Sequence, residues 1–168
     1  MLCNRFALLM CYRFIFTILL ALAIAGCISD KCGSVNCLNE GVCVRGECTC
    51  PFAWEGEFCQ SKWNDKFNGQ WVSLETAGAD TLRNYPLNVV AGSSPDSFYI
   101  LHLAESVDTV FCTRKAYKTF TMHERILPDS SKIQGGEGVY NELNGKVTGV
   151  YSFHKQDVVT TISFTWSK

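Results

Sequence analysis

From Gly69 onward the chain alternates apolar and polar residues, and clusters of turn-forming residues interrupt the alternation. Period-two alternation places successive side chains on opposite faces of a strand, so the pattern reads as a series of half-buried strands. The expected strands cover 70–76, 85–91, 97–103, 107–113, 117–123, 137–142, 146–154 and 158–166. The last is the clearest: Val158, Thr160, Ile162, Phe164 and Trp166 share one face, and Val159, Thr161, Ser163 and Thr165 the other. Gly92-Ser93-Ser94-Pro95-Asp96 and Pro128-Asp129-Ser130-Ser131 read as loops, and Lys155-Gln156-Asp157 as the turn of the final pair. Asn144-Gly145 is the strongest hairpin signal, because both residues accept the positive φ of a type I′ turn. Sequential strands with short loops favour an up-and-down barrel, which removes exposed edges by closing. The expected fold is mainly β: a small disulfide-rich module followed by an antiparallel, eight-stranded up-and-down β-barrel.

Upstream the pattern changes twice. Phe14 to Ser29 carries no charge, follows Arg5 and Arg13, and is shorter than the ~20 apolar residues that comfortably span a bilayer. With the small residues Ala25 and Gly26 before Cys27, it reads as a secretory signal peptide over 1–26. Ordinary cleavage leaving Cys27 as an odd thiol, and an uncleaved anchor, are the competing readings of the same residues. The second change is a cysteine run, C-x4-C-x5-C-x4-C-x-C-x8-C, over Cys32–Cys59. So short a stretch with so few large apolar side chains needs crosslinks to fold. Six cysteines allow 15 connectivities, and spacing alone does not choose among them. Residues 60–68 then form a linker, with Trp63-Asn64-Asp65-Lys66-Phe67 as a short helical turn.

Three stretches resemble known families. Ile24-Ala25-Gly26-Cys27 resembles the bacterial lipobox, with Ile where Leu is usual; this implies cleavage before Cys27, acylation of that cysteine, and a lipidated tether over 27–31. Two or three acyl chains anchor stably where one does not. The Cys32–Cys59 spacing, with Asn39-Glu40-Gly41-Val42-Cys43 and Cys50-Pro51-Phe52-Ala53-Trp54-Glu55-Gly56, resembles an epidermal-growth-factor-like (EGF-like) domain, Glu40 and Ala53 standing where that family has Gly. The resemblance implies the pairs Cys32–Cys43, Cys37–Cys48 and Cys50–Cys59. Calcium-binding members carry an acidic tract before the first cysteine; Ile28-Ser29-Asp30-Lys31 lacks it, so no calcium is expected. Gly69-Gln70-Trp71 is similar to the Gly-x-Trp opening of lipocalins. Lipobox, EGF-like module, Lys-Phe-x-Gly-x-Trp and a compact β domain over 69–168 together resemble outer-membrane lipoproteins of the Bacteroidetes type with a lipocalin-like or calycin-like domain. That resemblance implies architecture and a lipid-anchored place at the outer membrane.

Composition narrows the chemistry. Ten cysteines in a chain with an apolar N-terminus point to an oxidising compartment, and no Cys-x2-Cys pair suggests zinc. Formal net charge is −1, and −3 without Arg5 and Arg13; no basic patch suggests nucleic acid. Cys112 reads as a buried small hydrophobe. His102, His123 and His154 fall on three different strands and read as scattered rather than as a metal set. No Ser/His/Asp order carries a nucleophile turn, and Gly135-Gly136-Glu137-Gly138 reads as a bulge or bend instead of a phosphate cradle. Tyr85, Phe98, Tyr99, Phe120, Tyr151 and Phe164 supply aromatic surface for the core. The expectation is a non-enzymatic binding or interaction protein without a cofactor, taking a protein partner or a small apolar ligand at the barrel mouth. A filled-barrel envelope scaffold is the alternative.

Overall fold

The protein is described by a computed structural model covering residues 31–105 and 107–168. The signal-peptide stretch 1–26 and Cys27 lie outside the described residues. The chain enters through the disulfide-rich module, where β1 (Val42–Val44) and β2 (Glu47–Thr49) form a hairpin around Arg45-Gly46. Both turn residues have positive φ, +56° and +94°, as a two-residue type I′ turn requires. A second small hairpin, β3 (Trp54–Glu55) with β4 (Ser61–Lys62), joins the end of the module to the stretch beyond it. Cys32–Cys43, Cys37–Cys48 and Cys50–Cys59 crosslink the module.

Trp63–Lys66 is one turn of 3-10 helix, its start fixed by the Lys62 amide donating to Asp65 Oδ2 at 2.8 Å. The barrel strands follow: β5 (Gly69–Ala77), β6 (Asp80–Ala91), β7 (Ser97–Leu103), β8 (Val107–Arg114), β9 (Thr119–Met122), β10 (Arg125–Ile126), β11 (Lys132–Asn141), β12 (Lys146–Lys155) and β13 (Val158–Ser167). Neighbours in sequence pair antiparallel except β9 and β10, and β13 returns to β5. The two-residue β10 and β9 both pair with β11, so together they act as one interrupted strand of an eight-stranded closed barrel.

Alternation decides which side chains face inward. Trp71, Ser73 and Glu75 on β5 are buried while Val72 and Leu74 face outward. On β13 Ile162, Phe164 and Trp166 are buried, as the sequence pattern requires. The interior is filled rather than hollow along most of its length. Phe67 stacks on Phe98 with ring centroids 4.9 Å apart and meets Phe120 edge-on at 5.3 Å; Phe120 in turn stacks on Trp166 at 5.8 Å. Glycines make room for these rings. A Cβ on Gly138 would lie 2.3 Å from the Phe120 ring, and one on Gly149 2.4 Å from the Phe164 ring.

Three details depart from the sequence pattern. Asn144-Gly145 does close a hairpin, but through a four-residue loop between Asn141 and Lys146, with Gly145 at φ +65° and its amide bonded to Asn141 O at 2.8 Å. The Asn141 and Asn144 side chains each accept from the amide two residues on, which stabilises this longer loop. The type I′ geometry sits instead at Gln156-Asp157, at φ +47° and +50°. β11 starts at Lys132 rather than 137, because the Gly135-Gly136 pair holds a bulge inside the strand; Gly135 has φ +139° and the register shifts between Ile133 and Gly135. β6 starts at Asp80 rather than 85, with a bulge opposite the Glu75–Thr76 step.

Candidate functional site

The two ends of the barrel differ. One is sealed. The 3-10 turn lays Trp63 and Phe67, both fully buried, across that end. Trp63 Nε1 donates to Tyr117 O at 2.7 Å and Trp71 Nε1 to Phe67 O at 2.6 Å, so each indole N–H is satisfied within the seal. Asn64 Nδ2 donates to Ser97 O at 2.7 Å and ties the turn to the start of β7. The module supports it from outside. Ala53 is fully buried in the same core and its carbonyl accepts from the Trp63 amide at 2.9 Å; Lys66 and Glu55 pair at 2.8 Å, and Arg114 lies over the Phe52 ring.

The opposite end holds a half-open cavity of about 410 Å³, walled by Ala104, Leu127 and Phe153 with Arg83 and Lys155 among its polar groups. Beneath it a polar network interrupts the apolar core. Glu75 and Arg83 are direct cross-strand partners on β5 and β6. Arg83 Nε stands 2.8 Å from Glu75 Oε2, an ion pair whose angle does not make a hydrogen bond. Tyr85 Oη donates to Glu75 Oε1 at 2.5 Å and accepts from the Ala104 amide at 2.6 Å, and Arg83 Nη1 donates to Ala104 O at 3.0 Å. Two β6 side chains thus clamp the end of β7 and the turn after it, where His102, Ala104 and Glu105 have φ of +64°, +55° and +64°. Positive φ at three non-glycine residues is costly and persists only where the surroundings enforce it.

Burial first, then the Glu75 charge, raises both the Tyr85 and the Tyr151 hydroxyl well above the ordinary tyrosine value, so both are neutral at physiological pH. Ser73 Oγ and Tyr151 Oη are buried in the interior without a hydrogen bond of good geometry. At the rim Asp129 accepts from the Ser131 amide at 3.1 Å and from its hydroxyl, which holds its carboxyl below the usual range, and Lys155 Nζ stands 3.7 Å from Asp129. The arrangement can orient a small molecule by charge and shape.

Other residues singled out in the sequence are dispersed. His102 is exposed on the strained turn, His154 pairs opposite Val159 in the sheet, and His123 lies on the outer face, 2.7 Å from Thr113 Oγ1 and stacked on Phe111. Among the described residues no group of three His, Cys, Asp or Glu side chains is placed to hold a metal. Cys112 is fully buried, and desolvation pushes its thiol well above the ordinary value. Tyr85, Phe98, Phe120, Tyr151 and Phe164 are core residues, while Tyr99 is half-buried on the outer wall. Glu75, Arg83 and the Trp63–Phe67 seal were missed in the sequence. The usable signals were a charge sharing the inward parity of Trp71, and two aromatics four residues apart in the stretch read as a linker.

Neither a protein-family model nor a curated protein sequence matches the chain. Among solved structures, a redesigned β-barrel aligns over 65% of this chain and 96% of its own length, with 11% identity and a TM-score of 0.44. The class that fold and site define is a closed eight-stranded antiparallel β-barrel, sealed at one end and preceded by a disulfide-crosslinked module.

Proposed function

We propose that the chain is an extracytoplasmic binding protein of the bacterial envelope, anchored in the outer membrane through acylated Cys27. On this reading the module is EGF-like and calcium-free, the barrel is lipocalin-like, and a small molecule binds at the open barrel end. The observation that carries the binding role is the cavity of about 410 Å³ over the Glu75–Arg83–Tyr85 network. Its volume falls in the usual range of ligand sites, and it combines apolar walls with a few convergent polar groups. The filled interior favours a second reading, a scaffold for a protein partner, for which the outer-face stack of Tyr99, Phe111 and His123 supplies an exposed apolar surface.

Backbone amide shifts, followed by NMR while a panel of small molecules is added, test the two readings. The binding role requires shifts gathered at Ala104, Leu127, Asp129, Ser131 and Phe153. Shifts gathered on the outer wall, or none, would move the function to the scaffold. Intact mass spectrometry of protein taken from its native membrane checks the anchor: acyl mass on Cys27 is expected, and a free N-terminal cysteine would remove it.

A further inference from the structure

The charged residues lining the cavity are two cations, Arg83 and Lys155, and one carboxylate, Asp129. Arg83 is held at Nε and Nη1, by Glu75 and by Ala104 O, while its Nη2 has no partner among the described residues. Its side chain keeps 27% of its surface exposed and lines the cavity. Lys155 lines the same cavity, is 60% exposed, and meets Asp129 only at 3.7 Å. Of the carboxylates at and beneath the cavity, Asp129 accepts twice from Ser131, and Glu75 accepts from the Tyr85 hydroxyl and stands in an ion pair with Arg83.

We propose that the cavity binds a compact carboxylic acid, with the carboxylate between Arg83 Nη2 and Lys155 Nζ and an apolar or aromatic body against Leu127 and Phe153. This rests on the mouth being the binding site. A guanidinium fork held at its other nitrogens is preorganised, so little side-chain freedom is lost when the acid arrives. Glu75 is a positioning residue: it fixes the Arg83 plane without touching the ligand. The ligand is compact because Tyr85, Tyr151 and the aromatic core are buried in the barrel beneath the network.

The test uses the full chain in detergent, with 3-phenylpropionate as the probe and 3-phenylpropanol, 3-phenylpropylammonium and acetate as controls. Titration calorimetry measures affinity, and the methyl signals of Ala104 and Leu127 report location. The acid should bind and shift both methyls; the alcohol, the amine and acetate should each bind at least about tenfold more weakly, as loss of a charge-assisted hydrogen bond or of the apolar contact implies. Lys155→Gln lies on the exposed rim and should weaken the acid several-fold without moving the thermal midpoint. Arg83→Lys keeps a cation beside Glu75 but loses the fork, and should weaken it further. An amine or alcohol that matches the acid while shifting the same methyls would overturn the carboxylate assignment and leave the mouth as the site. No shift at Ala104 or Leu127 with any of the four would remove the site itself, and the proposal with it.

Discussion

Glu75 shows how much a single buried residue can organise. It is fully buried on an inward-facing strand position, where one oxygen accepts from the Tyr85 hydroxyl and the other faces the Arg83 guanidinium, and both of those groups also hold the turn at Ala104. Glu75→Gln should therefore destabilise the barrel by about 1–3 kcal/mol, because Arg83 then faces an uncharged partner at a mostly desolvated position. Urea unfolding measures it, and a change under half of one kcal/mol would show the network to be dispensable. The same network makes stability pH-dependent. Burial raises the folded-state values of Tyr85 and Tyr151 above the unfolded value of 10.0. Stability from these groups is fully present below about pH 10 and declines above it, since the unfolded chain then releases protons the folded chain retains. Tyrosinate absorbance during an alkaline titration should contain a component that appears only with unfolding and that shrinks in Tyr85→Phe. Ionisation of every tyrosine within an intact fold would contradict this.

At the level of elements, the 3-10 turn and the hairpin loops carry separable effects. Phe67 is wholly enclosed between Trp63, Phe98, Phe120 and Tyr140, so Phe67→Ala should cost about 3–5 kcal/mol, whereas Phe52→Ala, at a 69% exposed position, should stay within about 0.5 kcal/mol. Equal effects at the two positions in chemical denaturation would mean the seal is not part of the core. The two C-terminal hairpins give a further contrast. Gly145 sits at φ +65° with open space where a Cβ would be, so Gly145→Ala should destabilise by about 1–2 kcal/mol through backbone strain alone. Replacing Gln156-Asp157 by Asn-Gly, the pair preferred in a type I′ turn, should raise stability by about 0.5–2 kcal/mol. Thermal melts of both variants decide it; a loss of stability in the second would place a different turn at the tip of the last hairpin.

Across the whole molecule, module and barrel are joined by more than chain connectivity. Ala53 lies in the barrel's core, its carbonyl holds the start of the 3-10 turn, and Cys50–Cys59 closes the loop that presents it. Changing both Cys50 and Cys59 to Ser should remove about 2–3 kcal/mol from the module, on a chain-entropy estimate for so short a loop. It should also speed hydrogen exchange over 61–68. Exchange faster only within 32–59 would show that the seal stands without the module.

Alternation along each strand determined the β class, the strand count and the inward faces, because side-chain period is a local property of the backbone. The seal, the bulge opposite Glu75–Thr76 and the polar network were decided by tertiary structure. Trp63 finds its acceptor on Tyr117, 54 residues away, and Glu75 is recognisable as a site residue only once Arg83, Tyr85 and Ala104 surround it. The glycine pair in β11 reads locally as a bulge, which the structure contains; the close approach of Val150 and Tyr151 to Gly136 shows why the second glycine stands there. Local periodicity records which way a side chain points. What it meets there depends on strands brought together by closure of the barrel, which no short window of sequence contains.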